Sequence, residues 1–212
     1  MAFQTQTLVE FLNKPRILHE LSSALVSDIL DELGFRGTIS GLFPVLKGAK
    51  TVGLATPVAV RSRSNSTTNL REGIFQAIET SNKGAAIVIA SETESCSCFG
   101  GLTGKFAKSS GVAGVVVYGA VRDTPEMVSL RLPVFTRSVT PISGYNRLEV
   151  RSVNIPVRCG HVPVNRDDLV IADSDGVAIV PKNVIDDVLE RAFDVQAKEG
   201  EVLRQMRKRI KS

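Results

Sequence analysis

No apolar run in this sequence approaches the roughly 18 residues that a membrane-spanning helix needs. The N-terminus, MAFQTQTLVEFLNKP, has no basic start followed by an apolar block, so no secretory signal is expected. Cysteine is scarce: there are three, an odd number, with Cys96 and Cys98 separated by one residue. That argues against a disulfide framework and for a reducing, cytoplasmic compartment. One CxC with a distant third cysteine is a weak metal signal, and small thiols without a ligand role are the plainer reading. Spread positive charge is missing too. The formal net charge is +4, but five basic residues crowd into the last nine positions. Without that tail the body is near neutral and offers no basic face for nucleic acid. The tail itself, RKRIK, complements the C-terminal dipole of a helix end. The sequence also lacks internal repeats, low-complexity linkers and a glycine-rich dinucleotide turn followed by an acidic residue, so a nucleotide-type methyltransferase reading finds no support. What remains is the composition of an ordinary soluble chain, long enough for one large core.

Along the chain, Leu8, Phe11, Leu12, Ile17, Leu18 and Leu21 suggest two short helical pieces broken at Pro15. The spacing of Leu25, Ile29, Leu30 and Leu33 predicts an amphipathic helix from Ser23, closed by Gly34, with Asp28 and Asp31 on a solvated face. Residues 37–49 read as loop and 50–63 as a strand, in which Pro57 suggests an edge or a bulge. After a polar turn at 65–69, a short helix is expected over 70–78 and a buried strand over 85–90, followed by a polar loop at 91–98. A glycine-opened helix carrying Leu102, Phe106 and Ala107 leads to a second buried strand at 112–117. Thr124 reads as an N-cap with Pro125 at the first helical position. Short strands follow at 134–136, 150–153, 156–159, 169–172 and 177–180, with DSDG at 173–176 as a hairpin-type turn. A helix from 183 and its basic extension end the chain. The 212 residues thus read as one mixed α/β domain with helical arms at each end (N-terminal helices 5–34, core 50–180, C-terminal helix 183–210).

The chemistry concentrates in GGLTGKFAKSSGVAGVVVYGAVRDTPE, residues 100–126. Its pattern is G-x20-R-D-x2-E, from Gly101 through Arg122 and Asp123 to Glu126. Strand, helix and strand in about 35 residues make a parallel crossover unit, and ligands bind at the carboxyl ends of such strands. The glycines allow close backbone approach, and the helix opening there offers N–H groups to a carboxylate. Arg122 can hold the same carboxylate or a neighbouring carbonyl in bidentate fashion. Asp123 is an oxygen ligand suited to Mg2+ or Mn2+. Together these residues describe a site for a 2-oxo acid, in which metal and arginine stabilise charge on an enolate oxygen. The competing reading of the Arg-Asp pair is a surface salt bridge. No lysine is placed for Schiff-base chemistry; Lys105 is the nearest in sequence.

The same stretch, with SSALVSDILDELG before it and NRDDLVIADSDGVAIVP after it, resembles the RraA-like family, which includes the 4-hydroxy-4-methyl-2-oxoglutarate aldolases. The resemblance implies a β/β/α swivelling-domain fold, and homotrimers or trimer-derived hexamers with sites at subunit interfaces. It implies substrate contacts at Gly100, Gly101, Leu102, Thr103 and Arg122, and a metal ligand at Asp123. Related aldolases keep an aspartate at the position of Gly101, and Glu126 marks a subgroup in which it takes over part of that role. Tyr118 stands where many members have aspartate, Arg166 replaces a turn glycine, and His161 stands where another glycine is usual. His161 is either a substrate-specific contact or a surface histidine.

The implied reaction is metal-dependent retro-aldol cleavage of a 4-hydroxy-2-oxo acid to pyruvate and a second carbonyl compound, with oxaloacetate decarboxylation as a companion. Arg122, Asp123 and Glu126 are the catalytic candidates, and Glu199 from a neighbouring subunit's C-terminal helix is a second candidate for proton handling. Two alternatives stand beside it. One is a regulator that binds a ribonuclease, as the inhibitor members of the family do, although their motif lacks the aspartate that Asp123 supplies here. The other is a pathway-specific aldolase or decarboxylase on the same scaffold. No nucleic-acid or membrane partner is implied.

Overall fold

Ten strands of the computed structural model, which describes residues 20–64 and 69–211, form one mixed sheet. The two N-terminal helical pieces expected over 5–21 lie, as far as residue 19, outside the described residues. The expected amphipathic helix is α1 (Ser23–Glu32), which buries Val26, Ile29 and Leu30. Ser22 Oγ accepts the Leu25 N–H at its start, and Gly34 takes the left-handed φ of +81° beyond its end. Asp28 and Asp31 are exposed.

The sheet is built around four parallel strands: β3 (Thr51–Ser62), β4 (Ala86–Ser91), β6 (Gly114–Val121) and β7 (Val134–Val139). Helices α2 (Leu70–Glu79), α3 (Gly101–Ser109) and α4 (Thr124–Ser129) connect them. Because both sheet faces are covered, the apolar runs in β4 and β6 do not alternate with polar residues. Ile87, Ile89, Val115 and Val117 join one core with Ile74, Ala77, Ala107 and Met127 of the connecting helices. Ala86, Val88 and Val116 join a second core with β9 (Val157–Cys159) and β10 (Val162–Val164), a separate antiparallel ribbon. Antiparallel β11 (Leu169–Ala172) and β12 (Val177–Val180) extend the sheet beyond β3, and α1 packs on them together with α5 (Ile185–Lys211). The short β1 (Thr38–Ile39) and β2 (Phe43–Pro44) close the two ends, and β8 (Leu148–Val153) pairs antiparallel with β3. The expected mixed α/β architecture, with helices at the ends of the chain, is the one observed.

Four local expectations are corrected. Pro57 is not on an edge: β3 is interior, paired with β4 on one side. On the other side β11 pairs with residues 51–54 and β8 with 58–62, so Pro57 sits where the partner changes and no ladder hydrogen bond is lost. A bulge does occur nearby, between Ala59 and Val60. The segment 91–98 is not all polar loop, because Ser97–Phe99 forms β5, parallel to β6, with all three residues buried. Residues 37–49, read as loop, contain β1 and β2. Finally, the sequence does not announce the ribbon strand β10. The C-terminal helix expected over 183–210 is α5, which carries the basic tail to Lys211.

The DSDG turn does more than reverse the chain. Asp173 accepts the Ser23 N–H at 2.7 Å and the Ser23 hydroxyl at 2.6 Å, fastening the start of α1 to the β11–β12 turn. Partial burial pushes its carboxyl up, but these bonds, the Asp175 N–H and nearby Lys50 outweigh that and hold it below the ordinary aspartate value. A depressed folded-state pKa contributes stability above the unfolded value of about 3.9, and that contribution is lost as pH falls through the folded value. Asp173→Asn should cost about 1–2 kcal/mol at neutral pH, a drop of roughly 2–8 °C in Tm. The gap to the native chain should close below about pH 4. Thermal melts at pH 7 and pH 3 check both the size and the sign.

Candidate active site

β4 ends at Ser91, whereas β6 continues to Val121. β5 takes the place vacated beside β6, pairing Ser97 with Ala120 and Phe99 with Val121. This register carries the chain past Phe99 and past Val121 side by side, and the Arg122 N–H donates to the Phe99 carbonyl at 3.1 Å. Gly100 and Gly101 therefore open α3 directly against the turn that holds Arg122 and Asp123. A Cβ on Gly100 would lie 2.9 Å from Asp123 Oδ2, which is why a residue without a side chain serves there. The Thr103 hydroxyl accepts the Gly100 N–H at 3.0 Å and closes the helix start.

Asp123, rather than Thr124, is the N-cap residue of α4, so Thr124 and Pro125 each move one position into the helix. Asp123 has the left-handed φ of 57°, a conformation Asp and Asn tolerate better than other side-chain-bearing residues. Its carboxylate serves α3, not α4: Oδ2 accepts the Gly101 N–H at 2.9 Å and lies 3.4 Å from Arg122 Nε. Glu126, on the first turn of α4, pairs with Lys105 of α3, with Nζ 2.7 Å from Oε2. All four of these charged side chains are partly exposed, so neither ion pair contributes more than about 1 kcal/mol to folding. Their charges can be removed with little loss of stability.

These residues line one open cleft of about 270 Å3, together with Leu102, Thr103, Arg71, Ser143 and Tyr145. The structure thus brings together every sequence-predicted site residue: Gly100, Gly101, Leu102, Thr103, Arg122, Asp123 and Glu126. The first-turn N–H groups of α3 carry the positive end of its dipole, which suits a carboxylate. Asp123 and Glu126 give the cleft two carboxylates, the donor set of an ion such as Mg2+ that keeps several waters and takes further ligands from its substrate. Among the described residues no cluster of three or more His, Cys, Asp or Glu side chains forms, so the CxC has no companions of the kind a zinc site needs. Cys96 and Cys98 are buried in the apolar core. Burial pushes the Cys98 thiol up to about 12, so it stays protonated at the cleft wall and is no nucleophile.

Four other sequence candidates lie elsewhere in the chain. His161 is exposed in the β9–β10 turn and faces a wider hollow of about 620 Å3 with Ser27, Asp31 and Arg36, which removes it from this chain's substrate cleft. Arg166 is exposed in the turn before β11, 3.9 Å from Asp167. Tyr118 accepts a hydrogen bond from Arg137 at 2.7 Å on the face of the β9–β10 ribbon. Glu199 is exposed on α5 and does not line the cleft of its own chain. The His161 hollow is larger than the Arg122 cleft, but the cleft is where a helix start, an arginine and two carboxylates converge, and such convergence weighs more than volume. Two further lining residues are absent from the sequence expectations. Arg71 and Tyr145 carry no motif and come from elements 74 residues apart, though the N-cap Asn69 does announce the helix start that presents Arg71.

The sequence profile of the RraA-like family (Aldolase/RraA) matches residues 23–179. A protein of Halalkalibacterium halodurans, provisionally named a 4-hydroxy-4-methyl-2-oxoglutarate aldolase, is 31% identical over 197 residues, covering 91% of this chain and 87% of the relative. Streptomyces coelicolor RraAS2, described as an unusual member of the RNase ES inhibitor RraA protein family, is 28% identical with a TM-score of 0.78, over 88% of this chain and 93% of that one. An uncharacterised protein from Pseudomonas syringae superposes with a TM-score of 0.82 at 25% identity, over 91% of this chain and 87% of its own. The profile match and the identity to the H. halodurans relative agree: this chain belongs to the RraA-like family.

Proposed function

We propose that the protein is a divalent-metal-dependent aldolase that cleaves a 4-hydroxy-2-oxo acid to pyruvate and a second carbonyl compound. The observation that carries this reading is the β5–β6 register, which sets the start of α3 against Arg122, Asp123 and Glu126 in one cleft. The first-turn N–H groups of Leu102 and Thr103 receive the substrate carboxylate. Asp123, directly or through water, would hold a Mg2+ or Mn2+, which would supply polarisation of the 2-oxo carbonyl. Arg122 holds the carbonyl oxygen as it gains negative charge. The C3–C4 bond breaks, its electron pair moves to C3, and the C4 hydroxyl proton passes to a water held by a carboxylate. Returning a proton to C3 completes pyruvate. Glu126 is the carboxylate we favour for that water, because its Oε2 lies 2.5 Å from where a Cβ on Gly101 would sit, the space in which related aldolases carry aspartate. Glu199 of a second subunit is the alternative. Oxaloacetate decarboxylation, which passes through the same enolate, belongs to the same proposal.

We further propose a homotrimer or hexamer whose neighbouring subunit closes the cleft. Leu102 and Tyr145 support this, since they line the cleft yet are 53% and 55% exposed in the single chain. The test is a coupled pyruvate-release assay over a panel of 4-hydroxy-2-oxo acids and oxaloacetate. Turnover should vanish with EDTA and return with Mg2+ or Mn2+; an unchanged rate in EDTA would sink the metal-dependent reading. The likeness to RraAS2 favours one second reading, a protein that binds a ribonuclease. Capture of a ribonuclease, together with no metal-dependent turnover on oxo acids, would reverse the ranking.

A further inference from the structure

Among the charged side chains that line the cleft, the proposed chemistry leaves Arg71 unused. Arg122, Asp123 and the start of α3 meet through the Gly101 N–H, with Glu126 beside them. Arg71, in the first turn of α2, and Tyr145, in the loop before β8, line the same cleft from other elements. The Arg71 guanidinium carbon lies 5.9 Å from the centre of the Tyr145 ring, within the range of a cation–π contact. Tyr145 is itself steadied by the Ser143 hydroxyl, which accepts its N–H at 3.1 Å. The contact biases a long side chain toward one orientation and leaves the donor fork free for a planar anion. At about 30 Å3 per water, a cleft of about 270 Å3 has room for roughly nine waters, more than the six non-hydrogen atoms of a pyruvate unit occupy. Space therefore remains for an acceptor half beside the pyruvate unit, in a cleft that Arg71 also lines.

We propose that Arg71, held over Tyr145, is a specificity-determining residue that receives a carboxylate on the acceptor half of the substrate, the half that leaves as the second carbonyl compound. This inference rests on the aldolase reading above and deepens it. Arg71 touches neither the bond that breaks nor the enolate. It selects acceptor halves that carry a negative charge and does not alter the chemistry of cleavage.

The test compares two substrates that differ at one group. 4-Hydroxy-2-oxoglutarate carries a carboxylate on the acceptor half, and 4-hydroxy-2-oxopentanoate carries a methyl there; both release pyruvate, with glyoxylate or acetaldehyde as co-product. The native protein should prefer the first. Arg71→Met should lower kcat/KM for the first by about 10- to 100-fold, mainly through KM, and change the second by less than about 3-fold. Arg71→Lys should fall between, because the charge remains and the fork is lost. Tyr145→Leu should weaken the same preference, in the same direction and by less. Equal losses on both substrates in Arg71→Met would overturn the proposal and make Arg71 a structural residue, as would a native protein with no preference between them. No turnover of either substrate by the native protein, with metal supplied, would overturn the aldolase reading itself. The two failures are therefore distinguishable.

Discussion

Asp123→Asn should lower kcat/KM for pyruvate release by at least about 10²- to 10³-fold while the fold survives. The substitution isolates charge. Asn tolerates the left-handed φ of 57° about as well as Asp does, and its side-chain oxygen can still accept the Gly101 N–H. What it loses is the anionic oxygen that a hard divalent ion requires and that faces Arg122 at 3.4 Å. Asp123→Ala would be a poorer test, because it removes the hydrogen bond that seats α3 along with the charge. Steady-state kinetics at saturating Mg2+, beside a thermal melt, separate the two effects. Activity should collapse with a Tm change of no more than a few degrees. Full cleavage activity in Asp123→Asn with Mg2+ supplied would remove Asp123 from the metal-ligand role.

A second large effect should appear as non-additivity between positions 101 and 126. A Cβ at 101 would meet Glu126 Oε2 at 2.5 Å and Cδ at 2.7 Å, so one volume cannot hold both side chains. The obstacle is the tip of a flexible, partly exposed glutamate, so Gly101→Asp displaces that tip rather than unfolding α3. It also brings two like charges together. Gly101→Asp alone should therefore lose activity, about 10- to 100-fold. Glu126→Ala alone should lose about 100-fold, the scale of a missing proton-transfer group. The double variant Gly101→Asp/Glu126→Ala restores a single carboxylate to that volume and should come back to within about 10-fold of the native rate. Losses that simply add would show that Glu126 does not occupy the proton-handling position and would direct attention to Glu199 of a second subunit.

Much of this cleft was legible in the sequence, for a specific reason. Gly100–Thr103 and Arg122–Glu126 sit at the two ends of one local crossover, and the strand end and helix start that bring them together are written in consecutive residues. α1, α2, β4, β11 and β12 were equally plain, because each pairs a clean periodicity or an apolar run with a capping residue or turn. The failures share a different cause. Pro57 suggests an edge or a bulge; the edge half of that expectation fails because sequence cannot show that a strand changes partners along its length, while a bulge does lie two residues on. Ser97–Phe99 looked like loop because its three residues borrow their pairing from the overhang of β6, a fact about two strand lengths. Asp123 stands in place of Thr124 as the cap because the αL turn leaving β6 consumes one residue fewer than the pattern predicts. Arg71 and Tyr145 were invisible because their meeting depends on β8 lying against β3, a contact fixed by packing over a long sequence separation. His161 attracted notice by departing from the family pattern, yet its place in the β9–β10 turn takes it away from the cleft of its own chain.

If Arg122 and Asp123 together stabilise a pyruvate enolate, an enolate mimic should bind their cleft tightly. Oxalate is planar and presents the same vicinal oxygens as the enolate, so a site complementary to the enolate should prefer it to pyruvate. Titration calorimetry with Mg2+ present should show oxalate binding at least about 10-fold tighter than pyruvate, with that advantage lost in EDTA, in Asp123→Asn and in Arg122→Met. Oxalate binding that is no tighter than pyruvate binding, or that is unaffected by either substitution, would rule out enolate stabilisation by this pair.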